Sequence, residues 1–304
     1  MMIEFSPGHA PREATAAPLG RQPRRGPRTA GGWGLLLSAG LLAGCDGART
    51  TPATRPASTP TAVAYPALTP RELVARALGA HQARLGGARG GAVQVARLKR
   101  LRMKYSGTMN FGPRPVPFQA EAWQDLPERL RIQVVLTPGE RPLTSTQILA
   151  GPRGWRIHDQ GRVDELTAAE TLAVRGEAFP AQLASLHPLL EPGIELAPLP
   201  DQRVGGVACA GLKVAAPDMP VVELYFDRAT WLPAKWVCTV QTPEAGRQLE
   251  EVHLDRWEER SGLLFPLRMV SFRDRNQFME ALLTEVELLE AVPDSLFQPP
   301  SNPK

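Results

Sequence analysis

His158 is followed directly by Asp159, and His253 stands two residues before Asp255. These are the nearest approaches in the chain to an imidazole–carboxylate pair that moves a proton or holds a metal. Neither has a third ligand at a supporting spacing, and His with Asp at alternating strand positions reads as surface hydrogen bonding. Glu250 and Glu251 are adjacent carboxylates, but neighbours on a strand point to opposite faces and so do not work as a pair. The chain carries no His-Glu-x-x-His, no Gly-x-Ser-x-Gly and no Gly-rich phosphate loop. These residues point away from an enzyme and imply neither a metal nor a cofactor.

Of the three cysteines, Cys45 has the context for covalent chemistry. It follows an apolar run, Trp33–Ala43, which itself follows an arginine-rich stretch at 21–28. A basic segment, a short apolar run and small residues before a cut are the parts of a secretory signal, and the run falls short of the ~20 residues of a membrane span. Leu42-Ala43-Gly44-Cys45 resembles the bacterial lipobox, in which the thiol takes a diacylglycerol, the chain is cut before the cysteine, and the new amino group is acylated. Residues 1–44 are therefore read as a lipoprotein signal peptide and Cys45 as the lipidation site. Three acyl chains of the palmitate type anchor firmly, because each buried CH2 contributes about 0.8 kcal/mol and a single chain is marginal. Residues 45–68, rich in Thr, Pro and Ala, cannot bury enough surface to fold and read as a tether.

Removing the leader also changes the charge. The 304-residue chain has 35 basic and 31 acidic residues, a net +4. Residues 1–44 hold five Arg and two Glu, which leaves 30 basic against 29 acidic residues and a net +1. Nucleic-acid binding needs a concentrated basic surface, and no nucleic-acid partner is implied. Export to an oxidising compartment makes a Cys209–Cys238 disulfide possible. A simple meander with one strand between them places them about 9–10 Å apart, beyond the ~7 Å reach of a bridge, so two small buried residues are the alternative.

The folded part begins at Thr69. Thr69-Pro-Arg-Glu72 is a capping box, and Leu73, Val74, Ala77, Leu78 and Leu85 recur at helical spacing up to Gly86. After a Gly-rich break at 86–91 the period changes to two. Residues 101–109 and 130–136 alternate apolar with polar, and segments at 118–123, 147–150 and 155–158 continue the series between Pro/Gly turns. A second capping box, Thr167-Ala-Ala-Glu170, opens a helical insertion interrupted by Pro180 and Pro188 and read as one or two short helices separated at the proline. Six further strands are read at 207–214, 221–226, 235–240, 249–257, 267–272 and 278–288.

About eleven strands with two helical pieces predict a mainly β (α+β) domain over 69–304. A curved antiparallel sheet of that size must hide its concave face, and the N-terminal helix and the central helical piece are its natural cover. Inward positions on this reading are Leu101, Met103, Tyr105, Leu130, Ile132, Val134, Leu136, Val222, Leu224, Phe226, Trp236, Val240, Leu282 and Val286. Alternation does not separate a packed interior from a hollow one. Lys99, Arg100, Arg102 and Lys104 stand opposite the Leu101 face, as a solvated stripe or as a contact for anionic headgroups.

Three segments carry a resemblance. Tyr225-Phe-Asp227-Arg-Ala-Thr230-Trp-Leu232-Pro233, then Asp255-Arg-Trp257 through Gly262-Leu-Leu-Phe265-Pro266, then Val292-Pro-Asp-Ser-Leu-Phe297 resemble, in order, turn motifs of the bacterial outer-membrane lipoprotein-sorting proteins. These are the Lol-type carriers and their lipid-anchored relatives. The resemblance implies an incomplete β-barrel with an N-terminal helix and a central helical lid over it, whose apolar cavity takes the acyl chains of a lipid or lipoprotein and carries or senses it. A structural or regulatory envelope lipoprotein with a protein partner and no lipid cargo is the alternative. Either way the expected place is the bacterial cell envelope, lipid-anchored and facing the periplasm, with inner and outer membrane both open.

Overall fold

The computed structural model describes residues 67–84, 97–112, 114–242 and 246–300. The signal segment, Cys45, the tether up to residue 66 and the 86–91 break lie outside them. Helix α1 (Pro70–Arg84) opens the domain on its capping box, with the Glu72 carboxylate accepting from the Thr69 N–H at 2.7 Å. One meander follows: β1 (Arg100–Asn110), β2 (Pro115–Asp125), β3 (Arg129–Leu136), β4 (Leu143–Ala150), β5 (Arg153–Ile157) and β6 (Val163–Glu165). Helix α2 (Ala168–Leu183) comes next. A second meander runs through β7 (Glu195–Val204), β8 (Val207–Ala215), β9 (Val222–Asp227), β10 (Pro233–Thr242), β11 (Gly246–Arg260), β12 (Leu263–Arg273) and β13 (Asn276–Leu288).

The two meanders join where β13 pairs antiparallel with β1, giving one 13-stranded sheet. Its edges are β6 and β7, the two strands that flank α2 in the sequence. The sheet curves without closing, and α2 crosses from one edge to the other over the concave face, packing on β5 and on β10. Helix α1 packs on β7 and β8. The fold is therefore the expected incomplete barrel with two helices over it.

Both strands missed by sequence reading are these edges. β6 has only three residues, and β7 contains Pro198 and Pro200. Proline donates no ladder hydrogen bond and belongs on edges, where it also blocks pairing with another chain.

Of the two readings, one helix holds: the insertion does not divide at Pro180 and is one α-helix followed by a 3-10 turn that contains Pro188. α2 runs through Pro180 in its last turn at the loss of the one ladder bond that an N–H there would make, and Phe179, Pro180 and Leu183 are all buried. The break comes later, at Leu186, whose φ of 63° ends the helix before a 3-10 turn at His187–Leu190.

The disulfide is also absent: Cys209 and Cys238 are free and buried. β9 lies between their strands, and Cys209 stands opposite Asp227 while Cys238 stands opposite Val222, at the other end of β9. They belong to different packing clusters, Cys238 with the concave core and Cys209 with Tyr225 and Val237. Burial pushes the Cys209 thiol up to about 11 and the Cys238 thiol up to about 12, so both stay protonated and unreactive.

On the convex side the basic stripe is matched by acids from both neighbouring strands. Arg102 pairs with Glu121 on β2 and Glu287 on β13, Lys104 with Glu285, and Arg100 with Asp125. This is a solvated ladder of opposite charges. The chain's last described segment packs on the same side: Val292 and Phe297 bury against Ile148 and Trp155. Arg129 holds it through Asp294 and by lying over the Phe297 ring at 4.8 Å.

Candidate functional site

Between the concave face and α2 lies a cavity of about 200 Å³. That is more than ten times the space that one water needs, about 10–15 Å³. Its sheet side comes from β1, β2 and β3 of the first meander and β10 to β13 of the second. Its helix side comes from Ala178, Ala181 and Gln182 of α2 with Ala184 and Ser185 just beyond. Mostly short side chains at these positions let the helix approach the sheet without filling the space, which is why the interior stays hollow here.

The other half of the concave face is filled. Leu73, Val74 and Ala77 of α1 and Phe179 and Leu183 of α2 pack into one cluster with Leu212, Val222, Leu224 and Phe226. A second cluster borders the cavity where the first meander meets the second: Met109 and Phe118 line the cavity and pack with Leu136 and Phe278 behind it. Gly107 belongs to that tight region, since a Cβ there would overlap the Glu280 carbonyl oxygen and crowd the Phe118 ring.

The inward positions read from sequence therefore separate into groups. Leu101, Met103, Tyr105, Leu130, Ile132, Val134 and Trp236 line the cavity. Leu136, Val222, Leu224 and Phe226 point inward but into packed core; Phe226 is fully buried. Val240 is buried in the same core, and Val286 packs at its margin.

Leu282 is a correction: it faces outward and is 37 % exposed. The cause is a bulge. Lys104 stands opposite Glu285 but Tyr105 stands opposite Leu283, so Thr284 is an extra residue, its hydroxyl donating to the Lys104 carbonyl at 3.1 Å. Extrapolating alternation back from Val286 across that bulge puts Leu282 inside, whereas Met279, Ala281 and Leu283 are the inward residues.

Sequence reading also missed much of the second meander's wall: Val252, Leu254, Phe265, Met269 and Trp257. The first two follow the alternation of β11 and were legible. Trp257 was not, because Arg256 has a φ of 54° that shifts the phase and turns the indole in, where its Nε1 donates to the Pro233 carbonyl at 3.1 Å.

Polar groups in the wall are few. Tyr105 donates to the Met103 sulfur at 3.1 Å, and burial holds its hydroxyl far above the usual phenol range. Gln124 donates to the Leu98 carbonyl at 2.8 Å. Among the described residues the single charged group in the wall is Glu250, which accepts from Ser271 and Arg273. Burial raises its carboxyl, with the Arg273 charge and the two hydrogen bonds opposing.

The residues first considered for acid–base or metal chemistry lie elsewhere. His158 bonds Asp164 at 2.7 Å instead of Asp159, which pairs with Arg141. His253 is bound to Glu251 and Asp255 to Arg268. Glu251 also takes Lys235, so the two adjacent glutamates serve opposite faces. Among the described residues no three His, Cys, Asp or Glu side chains gather as a metal site requires, and no helix is long and apolar enough to cross a membrane.

No family model and no curated protein matches the chain. Solved structures do. A LolA superfamily protein from Nitrosomonas europaea is similar at 12 % identity over 76 % of this chain and 98 % of its own, with a TM-score of 0.48. A DUF1329 family protein from Desulfovibrio piger is similar at 10 % identity over 68 % and 94 %, with a TM-score of 0.44. A putative outer membrane lipoprotein-sorting protein domain from Vibrio parahaemolyticus is similar at 8 % identity over 67 % and 95 %, with a TM-score of 0.43. At these scores the likenesses carry no argument about activity, which rests on the cavity.

Proposed function

We propose that this chain is a lipid-anchored protein of the bacterial cell envelope that binds the acyl chains of a lipid or lipoprotein in its half-barrel and carries or senses them without covalent chemistry. The observation that carries the reading is the hollow interior: an apolar wall of about 200 Å³ under a roof of mostly short side chains, in a domain whose other half is tightly packed. Apolar surface left unfilled inside a fold is stabilised by whatever removes it from water, at about 25 cal/mol per Å². Release then follows whenever an acceptor covers the chain better.

The test is native mass spectrometry of the full-length chain from a bacterial host, scored for co-purifying acylated species. Ile132→Glu puts a carboxylate into the apolar wall and is expected to remove that cargo while leaving the far half of the core intact. A folded variant that keeps its cargo overturns the reading, and an empty wild-type cavity turns it toward a protein partner.

The anchor is tested separately. Cys45→Ala is expected to move the protein from the membrane fraction to the soluble fraction and to abolish labelling by an alkyne-tagged palmitate. Unchanged labelling sinks the assignment of Cys45.

A further inference from the structure

The apolar wall is interrupted by one charged side chain, and only half of that group is satisfied. Glu250 is 5 % exposed. Its Oε1 accepts from Ser271 Oγ at 3.0 Å and from Arg273 Nε at 3.2 Å. Both donors fall on that one oxygen. Among the described residues no donor reaches Oε2, although Glu250 itself forms part of the cavity wall. Arg273 is not in the wall; its guanidinium lies 3.6 Å from the centre of the Phe278 ring, and its Nη2, buried without a hydrogen-bond partner, is sealed away from the cavity. The polar feature offered to an occupant is therefore a hydrogen-bond acceptor set among hydrocarbon.

A carboxylate oxygen that faces an apolar cavity with no protein donor is costly, and a bound molecule can supply the missing partner. The donor must arrive with an apolar body, since the rest of the wall is apolar. A fatty-acid anion brings a second negative charge beside Glu250, and a simple ester brings acceptors only.

Building on the acyl-chain reading above, we infer that the occupant is an amphiphile whose chain lies along the apolar wall and whose amide N–H or hydroxyl donates to Glu250 Oε2. Glu250 then sets specificity among acylated molecules, and the wall of the half-barrel supplies the bulk of the affinity.

Titration of the full-length chain with hexadecanamide, methyl palmitate and palmitate tests this, followed by the emission of Trp236 and Trp257, both in the cavity wall. Hexadecanamide is expected to bind about tenfold more tightly than methyl palmitate, the effect of one hydrogen bond to a charged acceptor, with palmitate weakest. In Glu250→Leu/Arg273→Met, which removes both charges together, the amide-to-ester ratio is expected to fall to about one. The wild-type comparison decides the matter without relying on the variant's folding. Equal binding of amide and ester, or an unchanged ratio in a folded double variant, overturns the inference and leaves acyl-chain binding standing. Failure of all three probes overturns acyl-chain binding and the inference with it.

Discussion

Phe226→Ala is expected to lower folding stability by about 3–5 kcal/mol, the usual cost of emptying a packed aromatic site. Phe226 is fully buried on β9, in the cluster where α1 and the C-terminal half of α2 meet the sheet. Nothing there collapses to fill the space, because the surrounding side chains are held by two helices and several strands. Met103→Ala, on the cavity wall, is expected to cost well under half as much, since the Met103 side chain already borders open space and leaves fewer contacts to lose. Urea unfolding of the two variants checks the contrast. Similar losses at the two positions would mean that the interior is packed throughout, and the cavity would lose its standing as a site.

The second large effect is expected at the buried ion pair. Arg273→Ala leaves the Glu250 carboxyl buried without its compensating charge, which is expected to cost about 3–5 kcal/mol near neutral pH. Replacing both partners by apolar residues of similar volume is expected to be close to neutral or mildly stabilising, because the desolvation of both charges disappears along with their attraction. The pH dependence has a definite sign. Burial already raises the Glu250 carboxyl above its ordinary 4.5, and removing Arg273 raises it further. A carboxyl raised in the folded state supports folding fully below its unfolded pKa and withdraws that support as pH rises through the folded value. The deficit of Arg273→Ala is therefore expected to be smallest below pH 4.5 and to grow above it. Urea midpoints measured on either side of that pH check it, and a deficit that grows toward acid would contradict the assignment of Glu250 as the stranded charge.

Much of this architecture is written in local sequence. The capping boxes at Thr69 and Thr167 open α1 and α2 where read, because they rest on groups three residues apart. Tyr225–Pro233 is a hairpin for equally local reasons: Asp227 accepts from the Ala229 N–H at 2.7 Å and from the Thr230 hydroxyl at 3.0 Å, closing the turn between β9 and β10. Period-two alternation placed eleven of the thirteen strands, and with them seven of the cavity-lining residues.

The remainder depends on distant partners. Leu282 turns outward because the pairing of β13 with β1, from opposite ends of the domain, inserts Thr284 as a bulge. Cys209 and Cys238 stay apart because β9 separates them and their side chains join different clusters. Leu101 and Phe226 carry the same alternating signal, yet one borders a cavity and the other is sealed beneath two helices. Alternation reports which face a side chain takes; whether anything fills the space before it depends on how closely α1 and the alanines of α2 approach. That distance is set by packing between elements about a hundred residues apart in the chain, and no local pattern encodes it.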